Sequence, residues 1–116
     1  MTEWGGWVLA FGLTQAIEAP LYAVALRERG LARAAGIALG ASALTHPFVW
    51  FAFPALFAGF EGSDVVRVAV SEAFAVGVEA LYLSAWGVPR AFWWSLAVNG
   101  ASFSVGLSLS LLIGWP

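Results

Sequence analysis

Four long apolar stretches, separated by short clusters of charged and turn-forming residues, constrain the fold of this chain more than any motif in it. They run from about Trp4 to Leu26, Ala34 to Phe57, Val65 to Trp86 and Ala91 to Ile113, about 22–24 residues each. A helix rising 1.5 Å per residue needs ~20 residues to cross ~30 Å of hydrocarbon, so each stretch can span a bilayer. Backbone polar groups meet no water in that layer, which leaves helices or a closed barrel. A barrel needs short strands of alternating polarity, and these Ala-, Leu- and Gly-rich runs do not alternate. The expected fold is therefore all-α and integral to a membrane. It places four transmembrane helices, residues 4–26, 34–57, 65–86 and 91–113, in one antiparallel bundle, with residues 1–116 forming a single domain.

Composition excludes the alternatives. Hydrophobic residues make up 61% of the chain and charged residues 10%, whereas a soluble domain carries about a quarter charged residues. There is no cysteine to staple a small secreted scaffold. The basic residues are five arginines that form no patch for nucleic acid. Met1-Thr2-Glu3 carries no positive charge and the first apolar run exceeds a signal-peptide core, so no cleavable signal is expected.

Arg27, Arg29, Arg33 and Arg90 fall in the first and third connections, and only Arg67 lies near the second. The positive-inside rule then places the 1–2 and 3–4 loops in the cytoplasm and both termini outside, in an inner or plasma membrane. Tryptophans fit as interfacial belts, with Trp4, Trp7 and Trp115 outside and Trp86, Trp93 and Trp94 inside. A weak repeat also runs through the chain. Gly30-Leu31-Ala32-Arg33-Ala34 matches Gly87-Val88-Pro89-Arg90-Ala91, Glu18-Ala19-Pro20-Leu21-Tyr22 matches Glu79-Ala80-Leu81-Tyr82, and Gly40-Ala41-Ser42 matches Gly100-Ala101-Ser102. Two tandem helical hairpins related by a pseudo-twofold axis would produce this pattern, as would chance in so biased a composition.

Four ionisable side chains, Glu18, His46, Glu72 and Glu79, interrupt the apolar runs. A charge at the bilayer centre costs on the order of 2.5–3.5 kcal/mol even on lenient scales, so each requires a reason. Counted from the loop arginines and Gly87, Glu18, Glu79 and Asn99 lie roughly 12–14 Å into their helices, and His46 roughly 20 Å. Three helices thus present a carboxylate or amide at one level, with an imidazole just above it. Helical spacing gives each run a polar line: Thr14, Glu18 and Tyr22 with Gln15 beside them; Ser42 and His46; Glu72, Glu79 and Tyr82; Ser95, Asn99, Ser102, Gly106 and Ser110. Gly36-x-x-x-Gly40 and the serine line of the fourth helix suit close helix packing. Pro20 and Pro47 leave the Ala16 and Ala43 carbonyls without helical partners, and kinks there would turn those oxygens toward the polar level.

The candidate binding residues are Glu18, His46, Glu79, Asn99, Tyr22, Tyr82 and Glu72. Glu72 is also placed for a plain ion pair with Arg67. Oxygen and nitrogen donors without thiolate suit a proton, Na⁺ or a hard divalent metal, and Glu18, His46 and Glu79 would be the metal ligands. The expected cofactor is no more than a bound cation. No nucleophile–base pair, G-x-S-x-G, H-E-x-x-H or phosphate loop is present, which argues against an enzyme. Three functions remain. The first is a small protein that binds or transports a cation or proton through the Glu/His/Asn cluster, completed as a homodimer or larger homo-oligomer. The second is a subunit or assembly partner of a larger membrane complex. The third is an intramembrane enzyme acting on a lipid or isoprenoid.

Overall fold

The structure is a computed structural model that describes residues 3–59 and 63–114. Helix α1 spans Glu3–Ala25 and ends in a 3₁₀ turn, Arg27–Arg29. Helix α2 begins at Leu31 and runs regularly to Pro47. It then widens into a π-turn, Phe48–Ala52, and finishes as a short α-helical piece, Phe53–Leu56. Helices α3 (Ser63–Ala85) and α4 (Ala91–Ile113) complete the bundle. No strand occurs among the described residues. All four helices are long and apolar enough to cross a membrane. Of the interfacial tryptophans, Trp115 lies outside the described residues, as do Phe60–Gly62 in the second connection.

The boundaries follow from local chemistry. Helix α2 starts three residues earlier than the apolar pattern predicts, directly after Gly30, whose φ of 86° ends the preceding turn. Leu31, Ala32 and Arg33 all favour helix, so nothing delays it. Helix α3 closes in a Schellman motif: Gly87 N–H donates to the Ser84 carbonyl at 2.9 Å and Val88 N–H to the Leu83 carbonyl at 3.0 Å. Gly87 supplies the left-handed residue at φ 76°, and Val88 packs in one buried cluster with Leu83. Arg27 donates to the Val24 carbonyl at 2.8 Å, placing positive charge at the C-terminal end of α1.

Each helix packs on its sequence neighbours, and α1 also packs on α4, so the four close a ring about 45 Å long and 24 × 22 Å across. An Arg29 guanidinium nitrogen stands 3.7 Å from where a Gly87 Cβ would lie, which puts the first and third connections side by side. This arginine end is solid. Tyr22, Leu26, Ile37, Leu83, Val88 and Val98 form one buried cluster there, sealed by Ala34, Ala38, Ala41 and Ala91.

Polarity is inverted relative to a water-soluble bundle. Leu31, Val65, Leu81, Leu111 and Leu112 are each more than 70% exposed, while Glu18 and Glu79 are 2% and 1% exposed. Ser42, Thr45, Ser71, Ser95 and Asn99 are buried with them. The prolines behave differently from expectation. Helix α1 passes through Pro20 without a break, and Pro20 and Ala16 both lie on the exposed face. Pro47 has no N–H for the Ala43 carbonyl, and the helix answers by shifting to i−5 bonding: Phe53 N–H reaches the Phe48 carbonyl. Ala43 is exposed too, so neither free carbonyl joins the polar interior.

Candidate functional site

Helices α1 and α3 stand diagonally across the ring and each contributes one glutamate to its centre. Helices α2 and α4 lie between them and supply the donors. Glu18 accepts hydrogen bonds from Ser42 of α2 at 2.7 Å and from Ser102 of α4. Glu79 accepts from Thr45 of α2 at 2.7 Å, from Asn99 of α4 at 3.2 Å and from the Tyr22 hydroxyl of α1 at 2.7 Å. Ser42 and Thr45 are one turn apart, as are Asn99 and Ser102, so each of these two helices holds both carboxylates from a single face. Asn99 is itself fixed by the Ser95 carbonyl at 2.9 Å. Ser95 in turn donates to the Val76 carbonyl at 2.7 Å, tying α4 to α3.

Above this layer the bundle is hollow. A cavity of about 300 Å³ is lined by Glu18, Glu79 and Asn99 at its floor and extends past His46 to Ala10 and Ser110. The solid cluster at the arginine end closes the other side. None of the donors to Glu18 or Glu79 is basic, and Arg27, Arg29, Arg33 and Arg90 all sit at or beyond the helix ends. Among the described residues, the buried carboxylates therefore accept hydrogen bonds from hydroxyls and an amide and from no basic side chain.

The other sequence candidates divide. Tyr22 and Asn99 join the Glu79 cluster. Tyr82 turns away from it and donates to the Ile37 carbonyl at 3.1 Å, lying over Gly40, where a Cβ would stand 2.3 Å from its hydroxyl. Gly36, the other half of that glycine pair, has nothing within 4 Å. His46 lines the cavity but belongs to an aromatic group, with ring centroids 5.2 Å from Phe11, 6.0 Å from Trp7 and 6.4 Å from Trp50. Trp7 also stacks on Phe11 at 5.2 Å, and its indole nitrogen is buried. The expected metal set of Glu18, His46 and Glu79 does not converge: among the described residues no group of three His, Cys, Asp or Glu side chains is placed to hold a metal ion.

Glu72 lines the same cavity two turns above Glu79. Among the described residues it has no hydrogen-bond or ion-pair partner, so the anticipated pairing with Arg67 is not made. Other buried polar atoms also lack partners: Trp7 Nε1, His46 Nδ1 and both amide atoms of Gln15. Trp7, Phe11 and Gln15 are spaced i, i+4, i+8 on α1, so they run beside the Thr14–Glu18–Tyr22 stripe.

Thr45 is the residue that sequence reasoning passed over. Its signal was present, since it lies three residues after Ser42 and so shares that face as closely as His46 does.

Fold and site together define a small helical bundle with an apolar exterior and a buried, hydrogen-bonded pair of carboxylates beside a cavity. No protein-family model, curated protein sequence or solved structure matches the chain.

Proposed function

We propose that the chain crosses a membrane four times, with its arginine end in the cytoplasm, and that it binds and moves a cation or proton through Glu18 and Glu79. One observation carries this reading. Two carboxylates are almost fully buried beside a cavity, and among the described residues every hydrogen-bond donor to them is neutral. An isolated ionised carboxylate in an apolar interior is too costly to keep without compensation, so a bound cation or a proton has to supply it. Hydroxyl and amide donors from both flanking helices keep the two groups oriented while the compensating charge is exchanged. A single narrow bundle with a cavity toward one end supports a pathway completed by a second copy of the chain.

The test is flux in liposomes for Glu18→Gln and Glu79→Gln, read with a pH-sensitive dye and, separately, with a Na⁺ gradient. Loss of flux in either variant is the expected result. No flux in the parent, or unchanged flux in both variants, rejects the reading.

A second reading, an intramembrane enzyme acting on a lipid or isoprenoid, gains support from an apolar groove between α3 and α4 that reaches Glu72. It requires turnover of an added lipid, which the same liposomes report.

A further inference from the structure

On the outside of the bundle, α3 and α4 enclose a groove of about 570 Å³, walled by apolar residues such as Val65, Ala69, Val76 and Leu96. Among the described residues of its lining, Glu72 is the one ionisable group. Val68, Glu72, Phe103 and Leu107 border both this groove and the central cavity, so the two spaces adjoin across a single seam of side chains. Glu72 stands at that seam, about 10 Å up α3 from Glu79 and on the same face. It has no hydrogen-bond or ion-pair partner among the described residues.

A small inorganic ion has no use for an apolar side entrance, and a neutral lipid has no use for the carboxylate in it. A ligand with an apolar body and one positive charge uses both: its body is favoured in the groove and its charge meets Glu72. Resting on the cation reading above, we propose that the ligand is a hydrophobic organic cation. It enters sideways through the α3–α4 groove and meets Glu72 before it reaches Glu79 and Glu18. Gly100 lines the groove, with open space where a Cβ would be, so a larger side chain there would project into it.

Tetraphenylphosphonium is the probe, because its charge is permanent and it cannot hydrogen-bond. Tetraphenylborate, the same shape with the opposite charge, is the control. Binding is measured by calorimetry on the full chain in nanodiscs. The parent is expected to bind the cation and not the anion. Glu72→Gln should weaken cation binding at least tenfold, and so should Gly100→Leu, which fills the groove while leaving every carboxyl in place. No cation binding by the parent, equal binding of both ions, or parent-like binding by either folded variant overturns the inference. If the parent fails to bind the probe yet still passes protons or Na⁺, the inference falls and the proposed function stands. Gly100→Cys, the sole cysteine in the chain, tests for a second copy in the groove: an efficiently disulfide-linked dimer overturns the proposal. So does a co-purified phospholipid that the probe cannot displace.

Discussion

Replacing Glu79 by glutamine and by leucine separates the worth of its hydrogen bonds from the cost of burying a carboxylate. Both substitutions remove the ionisable group, so the difference between them reports the bonds together with the exchange of a buried amide for an apolar side chain. Glutamine can accept from Tyr22 through its amide oxygen and donate to Thr45 through its nitrogen. Leucine can do neither. With leucine, Asn99 keeps the Ser95 carbonyl at 2.9 Å, but the Tyr22 hydroxyl loses its acceptor at 2.7 Å. Thr45 is left with only the Ser42 carbonyl at 3.5 Å, too long to count for much. Two interhelical bonds at the ~0.6 kcal/mol typical of bilayers, or two stranded hydroxyls at ~1–3 kcal/mol each, bracket the loss. Glu79→Leu should be less stable than Glu79→Gln by roughly 1–6 kcal/mol. Equilibrium unfolding in mixed micelles, followed by circular dichroism, measures it. A leucine variant as stable as the glutamine variant, or more so, would show that Tyr22 and Thr45 do not depend on this carboxyl, and the described geometry would be refuted.

Other consequences are open to simpler measurements. Thr45→Val keeps the side-chain shape and deletes one bond to Glu79; it should cost about 0.6 kcal/mol in unfolding and reduce flux well beyond that small effect. Gly87→Ala places a Cβ at φ 76° and should destabilise by about 1–2 kcal/mol, whereas Gly77→Ala, in mid-helix with nothing within 4 Å, should gain up to ~1 kcal/mol. Thermal melts of the pair read the contrast. Cysteines introduced at Ala10 and Ser110, which line the cavity, should react with a water-soluble maleimide added from the side opposite the arginine loops. Cysteines at Ala38 and Val98, in the solid cluster, should stay unlabelled from either side.

The spans and the height of the acidic centre were legible because both depend on counting. Apolar run lengths match helices long enough to cross hydrocarbon, and distances from Arg27 and Arg90 set the level of Glu18 and Asn99. What counting misses is rotation about each helix axis. Ser42, Thr45 and His46 lie within one turn of α2, and periodicity alone does not decide whether the threonine or the histidine faces Glu79. The bundle turns Thr45 inward and leaves His46 among Trp7, Phe11 and Trp50. Tyr82 escaped for a similar reason. It follows Glu79 by three residues, yet the gap at Gly40 draws its hydroxyl across to α2. The π-turn after Pro47 was out of reach as well, because a missing N–H predicts a disturbed ladder but not the form in which it is repaired.

The contrast between a filled end and a hollow one has a mechanical consequence. Side chains locked in a dense cluster resist relative displacement of the helices that carry them, while helices bordering a cavity can bend toward or away from each other at small cost. Deformation of this molecule should thus resemble the flexing of fingers from a rigid palm. The π-turn lies in the second finger, and amide hydrogens there should exchange with solvent deuterium long before those around Leu83 and Val98.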